Sequence, residues 1–331
     1  MTLNRPLALA AAAAALAATA CGTSSAAATR TGRLTVVTTV APITSIAANV
    51  IGDKADIVGV VPEGTNSHTF DPPPKIAKVM ERADVVFANG LKLEDPTYEL
   101  AKTTAPRSAT IVQIGSKVLP ESQYIYDFSF PKADGKPNPH LWTDPLLAIK
   151  YADVIAQTMA AKDPADAAYY RANAAKFTAR ATALSDALKK DQTTVAKREL
   201  LTYHDAYAYF GRDYGWQIVG AVQPSNFEDP QPKEIARLID QVRRDKVPVI
   251  FGSEVFPSKV LAQIAREAGA RYEDTLRDDD LPGKPGDAEH SWLGLMRYDY
   301  RTMVAALGGR PTELDALDTS DVAPDKADYP Q

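Results

Sequence analysis

The chain has 331 residues, 45% of them hydrophobic, and a formal net charge of −5 at pH 7. A chain of this length buries a large core and is expected to form two domains. Its acidic balance, without a lysine- and arginine-rich stripe interleaved with aromatic residues, argues against a nucleic-acid partner.

Residues 1–20 have the pattern of a secretory signal peptide. Arg5 supplies a basic start, and residues 7–18 form an apolar run that is too short to span a bilayer as a mature helix. The sequence therefore predicts a protein that acts outside the cytoplasm.

The apolar run ends in Ala18-Thr19-Ala20-Cys21-Gly22, which resembles the lipobox of a bacterial lipoprotein. Cys21 is the only cysteine, so a disulfide within the chain is excluded. We predict that Cys21 is lipidated and anchors the protein to the outer face of the cell membrane, with residues 21–33 as a flexible tether. Because Ala18 stands where leucine is usual, cleavage near Ala20 and soluble secretion is the alternative.

Two series of short β-branched runs follow, with helical patterns between the runs. Within residues 34–163 the predicted strands are 34–40, 56–61, 84–88 and 109–114. Within residues 198–309 they are 199–203, 216–222, 247–252 and 270–275. Alternation of strands and helices is typical of parallel α/β sheets. The chain is therefore predicted to be an α/β protein of two lobes, each a mainly parallel sheet flanked by helices.

Residues 164–197 are predicted to form one long helix that joins the lobes. Asp163 can cap it, Pro164 suits its first turn, and its interior contains no glycine or proline. Such a helix would be a rod of roughly 50 Å and would limit hinge motion. Residues 310–331 are acidic and nearly free of bulky apolar side chains, so we expect them to be disordered.

Four residues with metal-binding side chains lie far apart in the sequence: His68, His140, His204 and Asp274. Each lies just after a predicted strand or just before a predicted helix, at the edge of a sheet where open α/β proteins bind ligands. Their wide intervals differ from the closely paired ligands of a structural zinc finger. We predict a metal site between the lobes, with two ligands from each. His290 is interpreted as a surface residue.

Three further carboxylates lie near these positions in the sequence. Asp144 and Glu254 are candidates to orient a ligand imidazole, and Asp205 is a third carboxylate of this kind. Each of the three also fits a helix cap or a surface ion pair.

Several blocks resemble, in the same order, the metal-receptor family of zinc and manganese ABC importers. They are residues 64–74 (GTNSHTFDPPP), 138–145 (NPHLWTDP), 203–207 (YHDAY), 214–216 (YGW), 223–226 (QPSN), 250–254 (IFGSE) and 272–276 (YEDTL). The resemblance covers about residues 34–308. It implies two lobes bridged by a rigid helix, with the ion held in the cleft by His68, His140, His204 and Asp274. Phe70 and Asp71 depart from the family, where tyrosine and glutamate are commoner.

The resemblance also implies the partners of the chain: an ABC permease in the cytoplasmic membrane and its separate ATPase. Three imidazoles and one carboxylate favour Zn²⁺ as the transported ion. The family's manganese branch commonly has a carboxylate in place of His204, which further favours zinc. Residues 115–138 contain no histidine, whereas many zinc receptors have a histidine-rich loop, so manganese and iron stay alternatives.

Other classes of function fit the sequence less well. A secreted zinc hydrolase would keep an open coordination position and a nearby general base, and no His-Glu-x-x-His motif is present. A receptor for a metal chelate would need a roomier aromatic or basic cleft, and an adhesin-like surface lipoprotein would leave the cleft ligands unexplained. We therefore expect a monomeric binding protein and not an enzyme.

Overall fold

The structure is a computed structural model that describes residues 32–253 and 259–331. Its strands are β1 (Leu34–Thr38), β2 (Ala55–Gly59), β3 (Val85–Ala88), β4 (Thr110–Gln113), β5 (Glu199–Thr202), β6 (Gln217–Ala221), β7 (Val249–Ser253) and β8 (Arg271–Leu276). Its helices are α1 (Ala41–Ile51), α2 (Pro74–Met80), α3 (Asp95–Thr104), α4 (Gly115–Val118), α5 (Pro145–Lys162), α6 (Ala167–Asp191), α7 (Ala208–Tyr214), α8 (Pro232–Asp245), α9 (Lys259–Ala268), α10 (Trp292–Ala306) and α11 (Thr312–Asp315). None of the helices in these two ranges is long and apolar enough to cross a bilayer. The predicted signal peptide, Cys21, the predicted tether up to residue 31, and Glu254 lie outside the described residues.

The strands form two four-stranded parallel sheets with the same topology. Their orders are β2-β1-β3-β4 and β6-β5-β7-β8. The predicted strands correspond to β1 to β8, with ends that differ by two residues or fewer. Burial explains this agreement: β3 and β7 are buried along their whole length, and such strands are continuous runs of apolar residues in the sequence. The prediction of a two-lobed α/β fold is confirmed.

The helix between the lobes is shorter than predicted. Helix α6 has 25 residues and a length of about 38 Å, and single 3₁₀ turns, Pro164–Asp166 and Gln192–Thr194, flank it. It packs against α1 and α5 of the first lobe and against α10 and α11 near the C-terminus. The predicted range therefore joined one α-helix with tighter turns at both ends.

Among the described residues, the apolar interior forms two clusters. The larger cluster joins the first sheet to α5, α6 and α10 and also takes in Leu200, Phe210 and Trp216 from the second lobe. The smaller cluster lies among the second sheet, α8 and α9 and includes Leu201 and Ile264. Leu200 and Leu201, neighbours on one strand, thus belong to different clusters, as the alternation of side chains along a strand requires.

The prediction that residues 310–331 are disordered is wrong. Leu314 is fully buried, and Asp328 adds to the edge of β2 through two backbone hydrogen bonds, from Gly59 N to Asp328 O and from Asp328 N to Ile57 O, both 2.9 Å. Composition misled the prediction because a few apolar side chains are enough to order a segment that packs on an existing surface. The backbone of edge strand β2 also offers hydrogen-bonding groups to it.

The same segment covers His290, which was interpreted as a surface residue. The imidazole is buried, its Nδ1 lies 3.3 Å from Pro282 O, and its ring meets that of Tyr329 at a centroid distance of 4.8 Å. His290 is therefore a packed residue beneath the C-terminal segment and belongs to no histidine cluster in the described residues.

Candidate metal centre

Three of the predicted ligands meet at one point between the lobes. The Nε2 atom of His68 lies 3.2 Å from Nε2 of both His140 and His204, and the latter two atoms are 2.9 Å apart. His68 lies in the loop after β2, His140 just before α5, and His204 just after β5. Three nitrogen lone pairs therefore converge on a volume the size of one ion.

Local hydrogen bonds set two of these rings. Nδ1 of His140 lies 2.9 Å from Asn138 Oδ1, and Nδ1 of His204 lies 2.6 Å from Gln223 Oε1. Because each amide oxygen accepts a hydrogen bond, Nδ1 carries the proton and Nε2 keeps the lone pair that can bind a metal. Asn138 is itself fixed, since its Nδ2 donates to the backbone oxygen of Asp205 at 2.7 Å.

Burial keeps the three imidazoles neutral. It lowers the pKa of His204 and lowers the pKa values of His68 and His140 well below their ordinary value, with the mutual repulsion of the cluster as a further cause for the latter two. A neutral imidazole is the form that binds a metal ion. The site is therefore ready to accept a cation at neutral pH.

The predicted carboxylate ligand, Asp274, does not join the histidines. It lies inside β8 and is exposed. The carboxylates near His204 come four and five residues later: Asp278 Oδ2 is 3.4 Å from His204 Nε2, and Asp279 also acts electrostatically on His204. Because β8 continues to Leu276, the loop at its carboxyl end begins after Asp274.

Asp278 and Asp279 are both buried, and this burial raises the pKa of each to about 7. Oδ2 of Asp279 accepts a hydrogen bond of 2.6 Å from Ser67 Oγ, next to His68. Its Oδ1 is buried and has no hydrogen-bond partner among the described residues. A buried carboxylate oxygen without a donor is costly unless a cation or a proton satisfies it.

The carboxylates proposed to orient imidazoles have other contacts. Asp144 caps α5 by accepting from Leu146 N at 2.8 Å, and it shares a hydrogen bond with Asp213. Asp205 accepts from Ser129 N at 2.9 Å and thereby holds the segment that carries Phe130 against the site. In the part of the chain that the structure describes, neither side chain has a hydrogen bond to a ligand imidazole.

Sequence reasoning missed the residues that orient the imidazoles, Asn138 and Gln223, as well as two aromatic side chains whose rings contact that of His68, Phe130 and Phe227. The amides belong to the blocks Asn138-Pro-His140 and Gln223-Pro-Ser-Asn226, which were recognised only as blocks. A polar amide two residues before a candidate histidine was a usable signal for Asn138. No local signal marked Phe227, which is distant in sequence from all three histidines.

A family model described as "Zinc-uptake complex component A periplasmic" matches residues 36–306. Among curated proteins, the iron-binding protein YfeA of Yersinia pestis is 29% identical over 276 residues, which cover 82% of this chain and 86% of YfeA. The manganese-binding lipoprotein MntA of Halalkalibacterium halodurans is 26% identical over 276 residues, 83% of this chain and 88% of MntA.

Solved structures show the same fold. The periplasmic zinc binding protein TroA of Treponema pallidum superposes with a TM-score of 0.76 at 22% identity, covering 83% of this chain and 99% of TroA. A cadmium-bound periplasmic metal binding protein of Candidatus Liberibacter asiaticus gives a TM-score of 0.72 at 25% identity, with 83% of this chain and all of that chain covered.

Proposed function

The chain belongs to the family of periplasmic zinc-uptake complex component A, solute-binding proteins of metal ABC transporters, and on this premise we propose that it captures Zn²⁺ outside the cytoplasm. Proteins of this family are receptors and not enzymes, and an ABC importer includes a membrane permease and an ATPase. The proposed role of the chain is to carry the ion to that permease.

The convergence of three imidazole Nε2 atoms supports this proposal most directly. Zinc binds histidine nitrogen at about 2.0–2.1 Å and prefers a tetrahedron, in which neighbouring nitrogens are about 3.3 Å apart. The observed separations of 2.9 to 3.2 Å are close to this value. Small outward shifts of the rings would therefore admit the ion.

The choice of zinc depends on the chemistry of the donors. Three nitrogen donors and one carboxylate are of borderline softness, whereas manganese sites contain more oxygen. The names of the relatives include iron and manganese as well as zinc, so Mn²⁺ and Fe²⁺ are the alternative cargoes. Elemental analysis of receptor isolated from its own organism without added metal distinguishes these cargoes.

We propose that the fourth ligand comes from Asp278 or Asp279 and not from Asp274. The first two are buried beside His204, and the unpartnered Oδ1 of Asp279 would gain a cation. Asp274 is exposed in β8, the strand that leads into their loop, and provides a matched control.

The test is zinc titration of metal-stripped protein, which should show one tight site per chain. His204→Ala should weaken affinity by roughly a hundredfold or more, since a ligand matters at least as much as the groups that orient it. Asp279→Asn or Asp278→Asn should also weaken affinity strongly, whereas Asp274→Asn should leave it unchanged. Wild-type affinity in His204→Ala would disprove the ligand set.

Anchoring at Cys21 is a separate proposal. Lipidated protein should partition into membranes, and Cys21→Ala should release it into the soluble fraction. A variant that stays in the membrane would rule out the lipid anchor and leave soluble secretion as the alternative. We further propose that the receptor acts as a monomer, which light scattering of the metal-loaded protein tests.

A further inference from the structure

Two different kinds of contact hold the imidazoles of the site. His140 and His204 each have an amide oxygen on Nδ1, at 2.9 and 2.6 Å. Nδ1 of His68 has no hydrogen-bond partner among the described residues. Metal-binding histidines almost always have such a partner, because it fixes the ring and its tautomer. Something else must hold the ring of His68.

Two aromatic rings contact the His68 ring where a hydrogen-bond partner is missing. The ring of Phe227 is stacked on His68, with centroids 4.3 Å apart and planes 15° from parallel. Phe130 lies 5.4 Å from His68 at 41°, and the two phenylalanine rings are 5.9 Å apart. His68 comes from the first lobe and Phe227 from the loop after β6 of the second, so the stack also joins the lobes.

The backbone at Phe227 adds a second, independent observation. Its φ angle is 60°, in the left-handed region that glycine adopts readily and bulky side chains rarely do. A turn closed by Phe227 N donating to Pro224 O at 3.0 Å holds this conformation. Backbone preference alone would favour glycine here, so the phenylalanine ring is accounted for by its contact with His68.

We propose that Phe227 is the positioning residue of His68: its ring substitutes for the missing hydrogen bond to Nδ1, and by covering His68 it slows release of the bound ion. This inference rests on the proposed function of the three histidines. We expect the ion to leave by way of His68, since the other two rings are fixed by hydrogen bonds and this one is held by its stack on Phe227 and its tilted contact with Phe130.

The direct test is the rate of zinc dissociation into excess chelator, measured by stopped flow. Phe227→Ala should release zinc about tenfold faster, within the 10- to 100-fold effect of losing the group that orients a ligand. Phe227→Tyr keeps the stacked ring and should release at the wild-type rate. Phe128→Ala is the matched control. It removes a phenylalanine that lies two residues before Phe130 in the chain and is 51% exposed, and it should not change the release rate.

Phe227→Gly separates positioning from folding. Glycine suits the positive φ and alanine does not, so the metal-free Phe227→Gly variant should unfold at a higher temperature than Phe227→Ala while releasing zinc just as fast. Cobalt(II) provides a spectroscopic readout: the visible bands of the bound ion should weaken or shift in the alanine and glycine variants and be preserved in Phe227→Tyr.

Wild-type release rates and cobalt spectra in both Phe227→Ala and Phe227→Gly would overturn the inference while leaving the proposed function intact. Fast release by Phe227→Tyr, equal to that of Phe227→Ala, would also overturn it, because a stacked ring would then not be the cause. A wild-type protein that binds neither zinc nor cobalt would instead overturn the proposed function.

Discussion

The two lobes share one strand order but differ in how their sheets are packed. Pairing in the first sheet is in continuous register, and its residues belong to the larger apolar cluster together with α5, α6 and α10. In the second sheet the register shifts between Leu200 and Leu201 and again between Phe251 and Ser253, and the layer with α8 and α9 forms its own small cluster.

This difference shows how one strand order can build a large packed body in the first lobe and redirect strand ends toward the site in the second. Irregular pairing redirects the ends of strands, and both shifts occur in strands that lead toward the site: β5 runs to His204, and Ser253 at the end of β7 contacts Asp278. The first lobe, with α6, is the larger packed body. We therefore expect the outer layer of the second lobe to open locally at lower free energy than the rest.

The largest loss of stability is expected from a substitution in the larger cluster. Phe177 of α6 is fully buried and its ring lies 5.2 Å from that of Trp292. Phe177→Ala should lower the free energy of unfolding by about 3–5 kcal/mol, through lost burial and the cavity left behind. Denaturant unfolding measures this loss, and exposed Phe128→Ala should change stability by no more than about 0.5 kcal/mol. Equal losses would show that Phe177 is not a core residue.

A smaller and more local effect is expected from the smaller cluster. Ile264 of α9 is fully buried there, and Ile264→Ala should cost about 2–4 kcal/mol. Amide hydrogen exchange should speed up in α8 and α9 while α5 and α6 stay protected. Exchange that rises evenly over both lobes would contradict local opening of the second lobe, because the two clusters would then unfold as one unit. Ile264→Val should give the same pattern at about 1 kcal/mol.

The C-terminal segment should depend on one buried carboxylate of α6. Asp191 accepts hydrogen bonds from the backbone nitrogens of Glu313 and Leu314, at 3.1 and 2.9 Å. Asp191→Ala should cost about 1–3 kcal/mol, the range for hydrogen bonds to a charged group, and should expose residues after 310 to protease. Asp186→Ala, an exposed residue of the same helix, is the control and should do neither. An undigested segment in Asp191→Ala would show that other contacts suffice.

The smallest effect is a pH dependence within that segment. Burial raises the pKa of Asp321 to about 6, against about 3.9 in the unfolded chain. The folded state therefore binds the proton more tightly, and this group makes the protein less stable as pH rises from about 4 to about 6. Asp321→Asn keeps the acceptor for Asn49 and should raise the unfolding temperature at pH 7 more than at pH 4.

Asp318 is the control with the opposite sign. Its pKa is lowered to about 2, first by the hydrogen bond from the backbone of Ser320, so its contribution is present above about pH 4 and lost as pH falls toward 2. Asp318→Asn should thus lower the unfolding temperature at pH 7. The same sign of change in both variants would contradict the assignment of the two environments.

Much of the fold could be predicted because buried parallel strands appear in the sequence as short apolar runs separated by helical segments. The site was less predictable, as Asp274 illustrates. The strand containing it was expected to end at residue 275, which placed Asp274 at the edge of the sheet, but β8 ends at Leu276 and the loop carries Asp278 and Asp279 instead. Because that loop starts only one residue later than predicted, a small boundary error exchanged one candidate carboxylate for two others.

Sequence alone was enough to predict the two α/β lobes, a helix between them and three histidines as candidate ligands, because periodicity and residue chemistry are local properties. Only the packed structure shows which carboxylates lie beside His204, that the acidic C-terminal segment packs along β2, and that Phe227 stacks on His68. These contacts join residues more than 70 positions apart in the chain. Such contacts depend on where the loops of two packed lobes meet, and no local pattern in the sequence records that meeting.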